Sequence, residues 1–283
     1  MSEIIFEHTG NQGDALFSLH FCKDIIDYHK IDKAYYVLVY GKKATYAEGH
    51  PDGDVQMTQK SAEFLKPFLE ECGFFKQIDI VSWNDFIQIK GQVNNLVMLD
   101  AFRNMPLNFF GEDIRSYYYA LSTNHFNQDF SKNLFEGKFE GDNRAKDKFL
   151  ICYTERVNSH FVSPLQCGIK DYLDRIAFVG LDSEYERFCK MTDATIPRFK
   201  ITDMADAARL MKGSRGVFGN QGGLLSLAEM LKVDRLLISP EYMQLNGKVM
   251  IGPCTHKVTG GNWYDHIMVP QNCEKITKAF MEH

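Results

Sequence analysis

Two copies of one tetrapeptide stand where an α/β chain most easily builds a site. Gly10-Asn11-Gln12-Gly13 follows one short apolar run, and Gly219-Asn220-Gln221-Gly222, extended by Gly223 and Leu224, follows another. Each reads as a turn between a strand and a helix. Glycine lets the backbone approach a ligand closely, and the first turn of a helix offers free N–H groups and the positive end of a dipole, which suits a phosphate. Neither copy is G-x-G-x-x-G, and neither runs into Gly-Lys-Ser/Thr, so a dinucleotide fingerprint and a P-loop are both excluded. Gly and Asn are also the default residues of plain tight turns, and each copy alone supports that reading equally well.

Other polar residues fall at comparable places. His8 closes the first strand, and Asp14 follows the first turn, where an acidic side chain also favours the helix dipole. Asp100-Ala101-Phe102-Arg103 follows a strand-like run, with Arg103 placed either to hold Asp100 or to meet an anion. Tyr153-Thr154-Glu155-Arg156 follows the first strand of the second half, and Glu241 comes just after Ser239-Pro240. The nine histidines include no H-E-x-x-H, and the seven cysteines are widely spaced with no C-x-x-C. A clustered zinc site and a disulfide framework are therefore not expected, and the thiols suit a reducing, cytoplasmic setting.

The elements that must position these residues read as alternating strands and helices. Strands are expected at 4–8, 35–40, 78–82, 96–99, 149–153, 176–179, 216–219 and 235–239. Helices are expected at 14–28, 61–72, 113–122, 183–191, 202–212, 224–231 and 274–281. Such alternation predicts α/β units with parallel sheets. Residues 136–148 are highly charged with two glycines and read as a linker between a domain of residues 1–140 and one of 141–283. The length of 283 residues admits two domains. With Lys+Arg 32 against Asp+Glu 37 the chain carries −5, so a nucleic-acid partner is not expected. No apolar run is long enough to span a membrane, and the first residues lack the basic-then-apolar pattern of a secretory signal.

The turns and their surroundings resemble the bacterial heptosyltransferases and their relatives. The strand followed by Thr9 to Leu16 is similar to the start of that family. Residues 207–214, the strand 216–219 with its Gly-Asn-Gln-Gly-Gly turn, and Leu227-Ala228-Glu229-Met230-Leu231 are similar to its donor-binding domain. Phe178-Val179-Gly180 and Glu184-Tyr185-Glu186 resemble another segment of it. The resemblance implies the GT-B fold, two Rossmann-like domains facing a cleft, with a last helix that crosses back to the first domain. It implies transfer of a sugar from a nucleotide-diphosphate donor to a hydroxyl acceptor such as a glycan, without a metal or other cofactor. Peripheral membrane contact stays open.

Within that resemblance Asp14 takes the place of the general base that removes the acceptor proton. Asn220, Gln221, Gly222, Gly223, Leu224, Arg156 and Glu241 stand on the donor side. His8, Gly10, Asn11, Gln12, Gly13, Asp100 and Arg103 stand on the acceptor side. The chain departs from the family where Gln221 replaces an acidic residue and Ser226 a histidine. A nucleotide-sugar binding protein without turnover is the alternative.

Overall fold

The computed structural model describes residues 3–44, 53–105, 114–153, 168–220, 222–238, 242–245, 248–251 and 273–282. The chain divides into two units: Met1–Leu134 with Asp203–Ala205, and Phe135–Thr202 with Asp206–His283.

In the first unit the order is β1 (Glu3–His8), α1 (Gln12–Phe17), α2 (Leu19–His29), β2 (Lys33–Tyr40), α3 (Gln59–Cys72), β3 (Gln77–Ser82), α4 (Trp83–Ile89), β4 (Leu96–Met98) and α5 (Ile114–Tyr118). The four strands form a parallel sheet in the order β3-β2-β1-β4. The expected helix over 14–28 begins earlier, at Gln12, and is interrupted at Ser18, whose hydroxyl bonds back to the Ala15 carbonyl at 2.7 Å. A hydroxyl that bonds into its own helix competes with the backbone ladder there. The helix α3 continues through Pro67, is capped by Thr58, and ends on Gly73 at φ 68, which glycine adopts without strain. Phe6, Leu16, Tyr36, Leu38, Leu65 and Phe68 are buried. Burying side chains of this size contributes roughly 1.5–3 kcal/mol each.

The second unit holds β5 (Phe149–Cys152), β6 (Ile176–Phe178), α6 (Asp182–Thr192), α7 (Met204–Gly213), β7 (Gly216–Asn220), α8 (Gly223–Met230), β8 (Arg235–Ile238), β9 (Tyr242–Leu245), β10 (Lys248–Ile251) and α9 (Cys273–Glu282). Its main sheet is parallel in the order β6-β5-β7-β8, and β9 and β10 make a separate antiparallel pair. Phe149, Ile151, Phe178, Phe188, Phe218 and Leu236 form its core, and α9 adds Phe280 and Met281 to that core. Phe280 and Met281 of the last helix thus pack on this core.

The charged stretch 136–148 is no free tether. Phe135 and Phe139 are buried, and Asp142 donates its backbone N–H to the Arg209 carbonyl of α7 at 2.9 Å. Arg144 pairs with Asp142 and Asp206, both at 2.6 Å. A Cβ on Gly213 would lie 2.1 Å from the Asp142 carbonyl oxygen, so glycine is what lets the stretch lie against the end of α7. Among the described residues no helix is long and apolar enough to cross a membrane.

Candidate functional site

Parallel sheets place ligands beyond the carboxyl ends of their strands, at the point where the strand order reverses. In the first unit that point lies between β1 and β4, because the chain runs β1 to β2 to β3 in one direction and then returns to the other side of β1. The register pairs Glu7 with Met98. Thr9 and Asp100, the residues that continue these strands, therefore arrive side by side.

They bond directly. One Asp100 oxygen, Oδ2, accepts from the Thr9 backbone N–H at 2.6 Å and from its hydroxyl at 2.8 Å. The other, Oδ1, accepts from Arg103 Nε at 3.1 Å. Burial pushes the Asp100 carboxyl up, but His8, once acid protonates its ring, with Arg103 and the two Thr9 bonds, prevails and holds it at about 2. Asp100 is thus a fixed anion. Arg103 reaches on from it and donates its Nη2 to Asp14 Oδ2, so one guanidinium fork joins two carboxylates. Asp14 foremost, with Asp100 adding to it, keeps the Arg103 cation above the ordinary range against the opposing effect of burial. Asp14 is 17% exposed, and its Oδ1 has no hydrogen-bond partner among the described residues.

His8 is fully buried beneath this layer. The Gly10 N–H donates to His8 Nδ1 at 2.9 Å, which makes Nδ1 the bare nitrogen. The proton then sits on Nε2 and is donated to the Tyr118 hydroxyl at 3.1 Å, which in turn donates to the Asp14 backbone carbonyl at 2.8 Å. Asp100 Oδ2 lies 3.3 Å from Nδ1 and favours a charged imidazole, but burial is the larger effect and lowers the His8 pKa. His8 is a neutral strut of this network. Tyr118 also stays protonated, because burial and then Asp14 and Asp100 raise its pKa well above the usual phenol value.

Gly10 is required by the same network. A Cβ there would lie 2.6 Å from His8 Cε1, 2.9 Å from Asp100 Oδ1 and 3.1 Å from Asp14 Oδ2. The first glycine of the turn thus makes room for protein side chains. Asn11 caps α1 through its backbone alone, and the Gln12 amide turns away to the Ser61 carbonyl at 2.9 Å. Gly13 lies half-buried in the first turn of α1.

In the second unit the strand order reverses between β5 and β7, and the second turn leaves β7 there. Gly219 pairs with Cys152, and a Cβ on it would lie 2.1 Å from the Cys152 carbonyl oxygen. Asn220 is buried at the strand end. Gly222 is the N-cap residue of α8 and offers no side chain to cap it; Gly223 and Leu224 are half-buried in its first turn. Ser226 is buried and its hydroxyl bonds back to the Gly222 carbonyl at 3.1 Å. Arg156, Gln221 and Glu241 lie outside the described residues.

The structure therefore brings together His8, Gly10, Asp14, Asp100 and Arg103, and adds Thr9 and Tyr118, which the sequence reading did not assign to the site. Tyr118 comes from α5, far from the turn in sequence. Thr9 was legible only as part of a turn.

No protein-family model matches the chain, and no curated protein does. Solved structures share its fold. The E. coli heptosyltransferase WaaC with ADP is 12% identical, covering 83% of this chain and 86% of that one, with a TM-score of 0.57. The E. coli ADP-heptose LPS heptosyltransferase II is 10% identical over 99% and 98%, with a TM-score of 0.55. The glycosyl transferase family 9 protein of Veillonella parvula DSM 2008 is 11% identical over 83% and 80%, also at 0.55. The resemblance read from the two turns thus holds at the level of fold: an α/β chain of the GT-B kind.

Proposed function

We propose that the chain is a glycosyltransferase that moves a sugar from a nucleotide-diphosphate donor to an acceptor hydroxyl, without a metal and with inversion. The observation that carries this reading is Asp14. Its Oδ2 is tied to Arg103 while Oδ1 has no hydrogen-bond partner among the described residues, at the carboxyl edge of β1. A carboxylate fixed by one oxygen and open at the other can take the acceptor proton as the hydroxyl attacks. Arg103, between Asp14 and Asp100, fixes that geometry.

On the donor side, the uncapped start of α8 at Gly222, Gly223 and Leu224 supplies backbone N–H groups for a diphosphate, with Asn220 beneath them. Arg156, Gln221 and Glu241 are assigned to the same side. The ADP held by WaaC makes an adenine nucleotide the first donor to test.

The experiment is a transfer assay with ADP-sugars and glycan acceptors, comparing the parent chain with Asp14→Asn. Loss of transfer by at least ~10²-fold is expected on removing a general base, with ADP binding retained and EDTA without effect. Normal turnover by the Asn variant would overturn the assignment. One observation favours a second reading, nucleotide-sugar binding without turnover. Ser226 spends its hydroxyl inside α8, where the resembling family has a histidine. Donor binding with neither transfer nor donor hydrolysis would favour it.

A further inference from the structure

A second group of charges lies at the carboxyl edge of the first sheet and takes no part in the network around Asp14. Lys42 follows β2 and Lys90 follows α4, yet both ammonium groups gather at one indole, 5.2 Å and 6.0 Å from the centre of the Trp83 ring. Lys42 is held in place. Its carbonyl accepts from the Gln56 N–H at 2.9 Å, and its Nζ reaches Thr9 Oγ1 at 3.4 Å. Among the described residues neither lysine has a carboxylate within ion-pair distance. Two like charges thus stand at one ring.

Behind them is Glu7, on the central strand. It is 1% exposed, and neither carboxyl oxygen has a hydrogen-bond partner among the described residues. The charged groups acting on it are Asp100 from the end of β4, Lys42 from the end of β2 and Lys90 from the end of α4; Tyr36 of β2 also lies within its electrostatic reach. An ionised carboxylate there would neutralise the lysine pair from below. A protonated one leaves the pair positive.

We propose that Lys42, Lys90 and Trp83 form an oxyanion subsite for a ligand bearing a carboxylate or a phosphate, with the charge on buried Glu7 setting its affinity. The two ammonium groups supply charge-assisted donors, and the indole face attracts both cations. Burial raises the Glu7 pKa to about 8, with Asp100 adding to it and the lysines opposing. The subsite is strongest below that pH and weakens as Glu7 ionises. The subsite is independent of the transfer reading, because binding is measured without turnover.

The chain has two tryptophans, so Trp263→Phe leaves Trp83 as the sole indole reporter. Its fluorescence is titrated with glucose 6-phosphate, glucuronate, inorganic phosphate and uncharged glucose. The charged probes should bind and glucose should not. Phosphate against glucuronate tells which oxyanion is preferred, and inorganic phosphate against glucose 6-phosphate tells whether the sugar contributes. Lys42→Gln and Lys90→Gln should each weaken binding about tenfold, and Lys90, at the surface, is replaced without disturbing the core. With glucuronate, whose carboxylate is ionised throughout, raising the pH from about 6.5 to about 9 should weaken binding in the parent, while Glu7→Gln should bind equally at both. Calorimetry repeats the titration where fluorescence is silent. Equal binding of glucose, no binding of any charged probe, unchanged affinity in both lysine variants, or a pH fall that persists in Glu7→Gln would each overturn the proposal.

Discussion

Tyr118 holds Asp14 by its backbone: the phenol donates to the Asp14 carbonyl at 2.8 Å, while the Asp14 carboxylate is held separately by Arg103. The first turn of α1 is thereby pinned from below by a neutral donor, and its carboxylate is set from the side by a cation. The two restraints come from α5 and from the turn after β4, which are distant in sequence. Together they convert a first-turn residue, otherwise free to swing, into one with a single direction.

Tyr118→Phe removes one restraint and leaves the other. The buried His8 Nε2–H and the Asp14 carbonyl each lose a partner, which costs about 1–3 kcal/mol of stability. In a transfer assay the expected result is a fall in kcat with little change in the KM for the donor, because Asp14 is misaimed while donor contacts are untouched. An unchanged kcat would show that Arg103 alone positions the carboxylate.

Asp100 has the larger structural share. It receives three hydrogen bonds, two of them from Thr9, so Asp100→Ala leaves the Nε of Arg103 and the Thr9 N–H without their acceptor. A loss on the order of 3 kcal/mol is expected in urea denaturation. The pH dependence has a definite sign. The carboxyl sits at about 2 in the folded chain against 3.8 for a free aspartate. Its contribution is complete above the unfolded value and is lost as the pH falls through the folded one. The difference amounts to about 2 kcal/mol. Stability curves of the parent and Asp100→Asn should converge toward low pH, and parallel curves would contradict this account.

The alternation of strands and helices was legible in the sequence because apolar runs and turn residues report local structure. Each Gly-Asn-Gln-Gly copy begins at the carboxyl end of a strand: Gly10-Asn11 lies between β1 and α1, and Gly219-Asn220 closes β7. What was not legible depends on pairing across the sheet. Nothing local in Leu96–Met98 says that this strand lies beside β1, and that adjacency alone brings Asp100 to Thr9 and Arg103 to Asp14. The helix α4 was missed because only Phe86 of its seven residues is buried, although Ser82 and Asp85 form a cap that could have announced it. The charged stretch 136–148 reads as a linker by composition, and its close approach to the end of α7, Asp142 against Gly213, is a contact that composition does not report.

Gly10 separates packing from ligand approach. Gly10→Ala drives a methyl into His8 and Asp100, the first a buried ring with no room to retreat. Overpacking of this kind costs about 1–3 kcal/mol, and the variant should also lose transfer, since Asp14 Oδ2 is among the displaced atoms. Gly219→Ala meets the Cys152 backbone and should be the more damaging of the two in thermal melts. Equal tolerance of both would mean that the turns open freely and that the network does not fix them.

Glu7 gives a stability prediction opposite in sign to that of Asp100. Burial holds its carboxyl at about 8, against 4.5 for a free glutamate, so the folded chain binds this proton more tightly than the unfolded one. Stability attributable to the group is complete below the unfolded value and declines as the pH rises through the folded one. Glu7→Met keeps the volume and removes both the charge and the unpartnered oxygens. Near pH 5 the variant should match the parent within about 1 kcal/mol, and near pH 9 it should exceed the parent by a few kcal/mol, on the order of what burying an unpaired carboxylate costs. Denaturation midpoints across that range are the measurement. A parent chain as stable at the alkaline end as at the acid end would mean that Glu7 ionises without penalty, through partners that open to it there.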